Sequence, residues 1–167
     1  MVDYRIINKR KITLVGMDFY GNPYKEAGGW SMENAIGQLW KRFSAFYEKK
    51  KDSIKNLESE SGYELWVDFD GKEDPKEDYI FVGVAVKKLK DLPLELVAKV
   101  LPETRYAVFT LKGDEIKSDW PSKAATQWLT EAHLERSHPY IIEYYDAGRF
   151  KGLESKDAEL DIYVPVR

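Results

Sequence analysis

Apolar residues along the chain follow two periods, one of strands and one of helices. Ile12–Tyr20 (ITLVGMDFY) is β-branched and aromatic and stops at Gly21-Asn22-Pro23, which predicts a strand and its turn. Tyr63–Phe69 alternates, with Tyr63, Leu65, Val67 and Phe69 on one face and Glu64, Trp66 and Asp68 on the other. Tyr79–Val86 is apolar on both faces, as a central strand is. Tyr106–Leu111, Tyr140–Tyr145 and Leu160–Val166 read as further strands. Between them the period lengthens. Ile36, Leu39, Trp40, Phe43 and Tyr47 make one stripe on a helix predicted over Met32–Lys50, with Ser31 as its N-cap and Lys49–Lys51 at the negative end of its dipole. Ala124, Trp128, Leu129 and Ala132 make the stripe of a second helix, Trp120–Glu135, capped by Asp119 and carrying Pro121 in its first turn. A shorter helical piece is predicted over Leu94–Leu101, between Pro93 and Pro102.

In order, these elements read strand, helix, strand, strand, and then the same again. The first unit covers about residues 1–90 and the second about 102–167. Both first strands end at a glycine (Gly21, Gly113), both helices hold a tryptophan (Trp40, Trp128), and both second strands start at a tyrosine (Tyr63, Tyr140). The expected fold is α+β: two repeats about a pseudo-twofold axis, one antiparallel sheet, both helices on one face, and a cleft where the repeats meet. Residues 1–167 are expected to form one domain.

Composition narrows the function. The net charge of −3 lacks the basic surplus of a direct nucleic-acid binder. With no cysteine, disulfides, thiolate catalysis and iron–sulfur clusters are excluded. No apolar run approaches the ~20 residues of a membrane helix, and the charged start is no signal peptide, so a cytoplasmic location is expected. Neither a metal nor a cofactor is implied. Asp68-Phe69-Asp70-Gly71 lacks the remaining ligands of a calcium loop, and His133 and His138 do not have zincin spacing. Five tryptophans and eleven tyrosines, however, exceed what a core of this size needs, and aromatic rings bind cations.

Glu143 stands out within Ile141-Ile142-Glu143-Tyr144-Tyr145, an otherwise apolar strand. It lies either on a solvated face or in a lined pocket, where a cationic ligand would supply the missing charge. By period two, Tyr145 shares its face. Aligning Tyr63 with Tyr140 puts Trp66 at the place of Glu143, so the two approach one cleft from opposite sides. The last strand carries Glu159, Asp161 and Tyr163 together on one face.

These residues resemble the GyrI-like small-molecule-binding family, which includes the effector-binding domains of AraC-type and MerR-type transcription regulators. Glu159-Leu160-Asp161-Ile162-Tyr163-Val164-Pro165-Val166 resembles its closing strand, Ile142-Glu143-Tyr144-Tyr145-Asp146 its strand with a central glutamate, and Pro102–Phe109 with Lys112-Gly113 its entry to the second repeat. Leu39-Trp40-Lys41-Arg42-Phe43, Leu14-Val15-Gly16-Met17 and Val82-Gly83-Val84 resemble its first helix, first strand and third strand. The resemblance implies an aromatic pocket between the repeats with Glu143 at its centre. Tyr145, Trp66, Tyr163, Tyr106 and Glu159 are the further candidate ligand-binding residues. It implies binding of a small, lipophilic, cationic ligand.

Two alternatives stay open. One is a metal-free hydrolase of cyclopropane-containing genotoxic compounds, with Glu143 and Tyr145 as the reacting groups. The other is a gyrase-inhibitor-like or regulator-binding module. Apolar edge strands would permit a homodimer or a protein partner.

Overall fold

The computed structural model describes residues 3–68, 71–124 and 126–167. Its strands are β1 (Tyr4–Lys9), β2 (Ile12–Gly21), β3 (Leu57–Val67), β4 (Asp78–Val86), β5 (Val97–Leu101), β6 (Thr104–Lys112), β7 (Tyr140–Tyr145) and β8 (Glu159–Val166). They form one sheet in the order β1-β6-β8-β7-β3-β4-β2-β5, with every neighbouring pair antiparallel. The fold is the expected α+β class. Phe69 and Asp70, which the expected second strand and the Asp68–Gly71 turn include, lie outside the described residues.

The order has two consequences. First, the leading strands are exchanged between repeats: β1 pairs with β6 of the second repeat, and β5 pairs with β2 of the first. Second, β1 is first in the order and β2 is next to last, yet only Arg10 and Lys11 join them. Three Cα–Cα steps span at most about 11 Å. The sheet must therefore curl until its two ends meet, and the Pro102-Glu103 link between β5 and β6 repeats the constraint.

Curling creates an inside and an outside. Leu14, Leu65, Phe81, Tyr106, Val108 and Ile142 point inward and form one core with Tyr63, Tyr140 and Tyr163. On the outside, helix α1 (Ala35–Lys50) packs Leu39, Phe43 and Phe46 on Val15, Ile80, Val82 and Val84. Helices α2 (Trp120–Ala124) and α3 (Gln127–Glu131) pack Trp120, Trp128 and Leu129 on Phe109, Leu160, Ile162 and Val164. No helix among the described residues is long and apolar enough to cross a membrane.

Several local expectations are corrected. Helix α1 begins at Ala35, because Asn34 is its cap and accepts a 2.9 Å hydrogen bond from the Gly37 amide. The backbone of Ser31 and Met32 lies across that first turn instead, so close that a Cβ on Gly37 would sit 2.4 Å from the Ser31 carbonyl oxygen. The expected Trp120–Glu135 helix is two short helices, since Thr126 (φ −132°, ψ −73°) leaves the helical region and His133 turns left-handed at φ 53°. Leu94–Leu101 contains no helix: Val97–Leu101 is β5, half-exposed at the sheet edge. β1 is likewise an edge strand that the sequence pattern does not predict.

Candidate functional site

The two central strands of the sheet are β3 and β7, one from each repeat, and the pseudo-twofold axis runs between them. The ladders show which residues the axis relates. In the first repeat Gly16 pairs with Gly83, which pairs with Tyr63. Carrying Gly21 onto Gly113 carries Gly16 onto Val108, which pairs with Tyr163, which pairs with Ile142. Tyr63 thus corresponds to Ile142, Glu64 to Glu143, and Trp66 to Tyr145. The expected equivalence of Trp66 with Glu143 is two residues out of register, because it aligned tyrosines at strand starts of unequal length.

Glu64 and Glu143 are also direct cross-strand partners. Each is 3% exposed. Both lie on the outer face, between the two helical layers, and each is followed two residues later by an aromatic donor. Trp66 Nε1 donates to Glu64 Oε2 at 2.7 Å and also to Glu143 Oε2 at 2.9 Å. Tyr145 Oη donates to Glu143 Oε1 at 3.0 Å. From α1, Trp40 Nε1 donates to Glu64 Oε1 at 2.7 Å. All four carboxylate oxygens therefore have a donor, and every donor is a neutral ring.

The rings pack around the pair. Trp40 meets Tyr145 edge-on with centroids 5.5 Å apart, and Phe150 meets the same tyrosine edge-on at 4.8 Å. Gly62 makes room for Trp40: a Cβ there would lie 3.0 Å from Trp40 Cη2. Toward solvent, Tyr24 stacks on Trp66 with centroids 6.4 Å apart and stays 44% exposed.

The electrostatics are unbalanced. Among the described residues, neither carboxylate forms an ion pair. One indole N–H touches both, so their nearest oxygens are at most about 5.6 Å apart, the two bonds laid end to end. Two full charges at that separation repel by about 3 kcal/mol at an effective dielectric constant near 20. Burial first, then the charge and hydrogen bonding of Glu64, push the Glu143 carboxyl well above its ordinary range. Burial, followed by the Glu143 and Glu64 charges, does the same to the Tyr145 phenol. Tyr24 is pushed up to about 12, by desolvation and then by the same two carboxylates. The pair behaves as a coupled dyad that keeps a proton where a lone carboxyl would lose it.

The structure brings together Glu143, Trp66 and Tyr145 of the six candidate residues. It adds Glu64, Trp40 and Tyr24, which sequence reasoning assigned to a polar face, to a core stripe and to no role. The other three candidates lie elsewhere. Tyr163 and Tyr106 are inside the curled sheet, in a chain of tyrosines: Tyr106 Oη and Tyr140 Oη are 2.7 Å apart, and Tyr163 lies 5.7 Å from Tyr106 and 5.6 Å from Tyr144. The pleat explains this. Ile162 is the cross-strand partner of Glu143 and shares its outer face, so Tyr163, one residue on, must point inward. Glu159 is held in an ion-pair group at the start of β8, 3.0 Å from Arg149 and 3.3 Å from Lys112.

The model of the Cass2 family, integron-associated effector binding proteins, matches residues 5–166. The chain belongs to that family. No curated protein matches it in sequence. Among solved structures, SAV2435 bound to tetraphenylphosphonium superposes with a TM-score of 0.68 at 15% identity, over 99% of this chain and 94% of that one. The integron cassette protein VCH_CASS2 from the mobile metagenome of Vibrio cholerae gives 0.53 at 19% identity over 98% and 95%. A hydrolase from Listeria innocua gives 0.54 at 12% identity over 98% and 91%. These likenesses establish a shared fold.

Proposed function

We propose that this Cass2-family chain binds lipophilic organic cations carrying flat aromatic groups, at the site built on Glu64 and Glu143. One observation carries the reading: two buried carboxylates face each other on the dyad with only neutral ring donors around them. Such an arrangement is unfavourable while empty and is relieved by a positive charge. Rings that hydrogen-bond the pair in the closed state can turn their faces to a bound cation, at about 0.5–2 kcal/mol each. Entry is by way of Trp66 and its exposed neighbour Tyr24, since both can swing outward without breaking a strand pairing. The tetraphenylphosphonium bound to SAV2435 on the same fold agrees with this ligand class.

Tryptophan quenching tests the reading. Tetraphenylphosphonium should quench saturably, and uncharged triphenylphosphine oxide should not. Glu64→Gln and Glu143→Gln combined should weaken the cation at least about tenfold, the loss of one buried charge interaction of roughly 1.4 kcal/mol or more. Equal binding of the neutral and cationic ligands would remove charge selection from the site.

A second reading uses the same pair as an acid–base set. One carboxyl keeps its proton and the other does not, so one can protonate a leaving group while the other activates water. The Listeria innocua hydrolase shares the fold. Mass spectrometry after incubation with a strained cyclopropane electrophile decides it: a water adduct that disappears with Glu143→Gln supports hydrolysis, and no adduct above background removes it for that substrate class.

A further inference from the structure

The site holds two carboxylates where one would suffice for a monocation. Resting on the cation-binding reading, we infer that the Glu64–Glu143 pair exchanges its shared proton for the second positive charge of a ligand, so that the site takes compact aromatic dications as well as monocations.

The geometry carries this. Glu64 and Glu143 are equivalent under the pseudo-twofold axis, are cross-strand partners, and share the indole N–H of Trp66. Every element around the pair contributes groups that leave its charge untouched near neutral pH. From β3 come Glu64 and Trp66, from β7 Glu143 and Tyr145, from α1 Trp40, from the β2–α1 connection Tyr24, and from the loop after β7 Phe150. The two phenols among them both have raised pKa values and stay protonated. The carboxylates are therefore the groups whose protonation can change. Empty, the pair holds one proton and one negative charge, because two close buried carboxylates cannot both ionise. A monocation meets that single charge and leaves the proton in place. A dication needs both carboxylates ionised; the proton passes to the buffer, and each charge gains its own partner across the axis. The site then takes a ligand whose two charges straddle the axis, such as a flat bipyridinium with one charge on each ring.

The test uses two ligands of nearly the same shape. Methyl viologen carries two charges and N-methyl-4-phenylpyridinium carries one, and neither has a proton to lose. Affinities are measured on the whole chain by tryptophan quenching, and proton release by calorimetry in two buffers of different ionisation enthalpy. Wherever the empty pair keeps its proton, the dissociation constant for methyl viologen should fall with rising pH by up to about tenfold per unit, with one proton released, while that for the monocation changes less than about twofold per unit. Glu64→Gln should abolish both the pH slope of the dication's dissociation constant and the proton release that accompanies its binding. Parallel slopes for the two ligands in the unaltered chain would overturn the exchange while leaving the cation site standing. If neither ligand binds at any pH, the cation reading fails and the exchange with it.

Discussion

Glu143→Gln should make the folded protein more stable, and increasingly so as pH rises. The folded-state pKa of Glu143 is raised, so over the interval from the ordinary carboxylate range up to that raised value the native state binds a proton that the unfolded chain does not. Stability then falls as pH rises through this window, by about 1.4 kcal/mol per pH unit for one proton. For a chain of this length that is a decrease in melting temperature of roughly 3–6 °C per unit. The other perturbed carboxylates do not interfere. Glu60, Glu95, Glu159 and Asp161 are all lowered, so their effect on stability is confined to more acid pH. Glutamine keeps the shape and an oxygen for Tyr145 Oη, and its amide can donate to Glu64. The assay is calorimetric melting of both proteins in half-unit steps from about pH 5 to 8, read as the slope of stability with pH. The unaltered chain should lose stability as pH rises from the ordinary carboxylate range toward the raised pKa of Glu143, and the variant should be nearly flat there. A variant slope equal to the parent's would refute the claim that the dyad stores a proton, whatever the absolute stabilities.

Asp161 sets the opposite case. Burial alone would raise its carboxyl, but hydrogen bonds from Arg149 at 2.5 Å and Thr110 at 2.6 Å hold it below its ordinary value, with Arg5 at 3.0 Å. Arg149→Met should therefore cost about 3 kcal/mol by leaving a buried carboxylate short of its main partner, seen as a lower urea midpoint, and should shrink the stability lost on acidification below about pH 4. Gly16→Ala should cost more than about 3 kcal/mol or abolish folding, because its Cβ would stand 1.9 Å from the Val82 carbonyl oxygen and β2 cannot move off β4 without breaking the ladder; soluble yield and circular dichroism report it. Tyr24→Ala should uncover the Trp66 ring, so acrylamide should quench the protein's fluorescence more strongly, whereas an unchanged quenching constant would show that Tyr24 does not cover the site.

Long, strongly periodic segments were readable from sequence. β2, β4, β6, β7 and β8 fall where β-branched and aromatic residues alternate or run, because both faces of these strands are packed. β1 and β5 escaped, since an edge strand exposes one side and its residues, Tyr-Arg-Ile-Ile-Asn-Lys and Val-Ala-Lys-Val-Leu, carry little period of their own. Glu143 could be singled out because it interrupts an apolar strand. Glu64 could not: its neighbours Glu60, Trp66 and Asp68 read as a solvated face, and only pairing with β7, a partner 79 residues away, buries it. Tyr106 and Tyr163 lie apart from Glu143 for the converse reason. Period two says which residues share a face, not which face of a curled sheet holds the helices.

The exchange of β1 and β5 makes the chain a fused, strand-swapped dimer. Neither repeat completes its own sheet, so a polypeptide ending near Lys90 would leave β2 with β4 but without β5, and β1 without any partner at all. Cut in the exposed stretch around Lys88–Asp91, the two pieces should not fold alone but should find each other and restore the dyad, carboxylates included. The same exchange ties the halves together like a double buckle. On the proposed function, a ligand enters by rotating side chains, because hinging the repeats apart would unlace strand pairs at both rims.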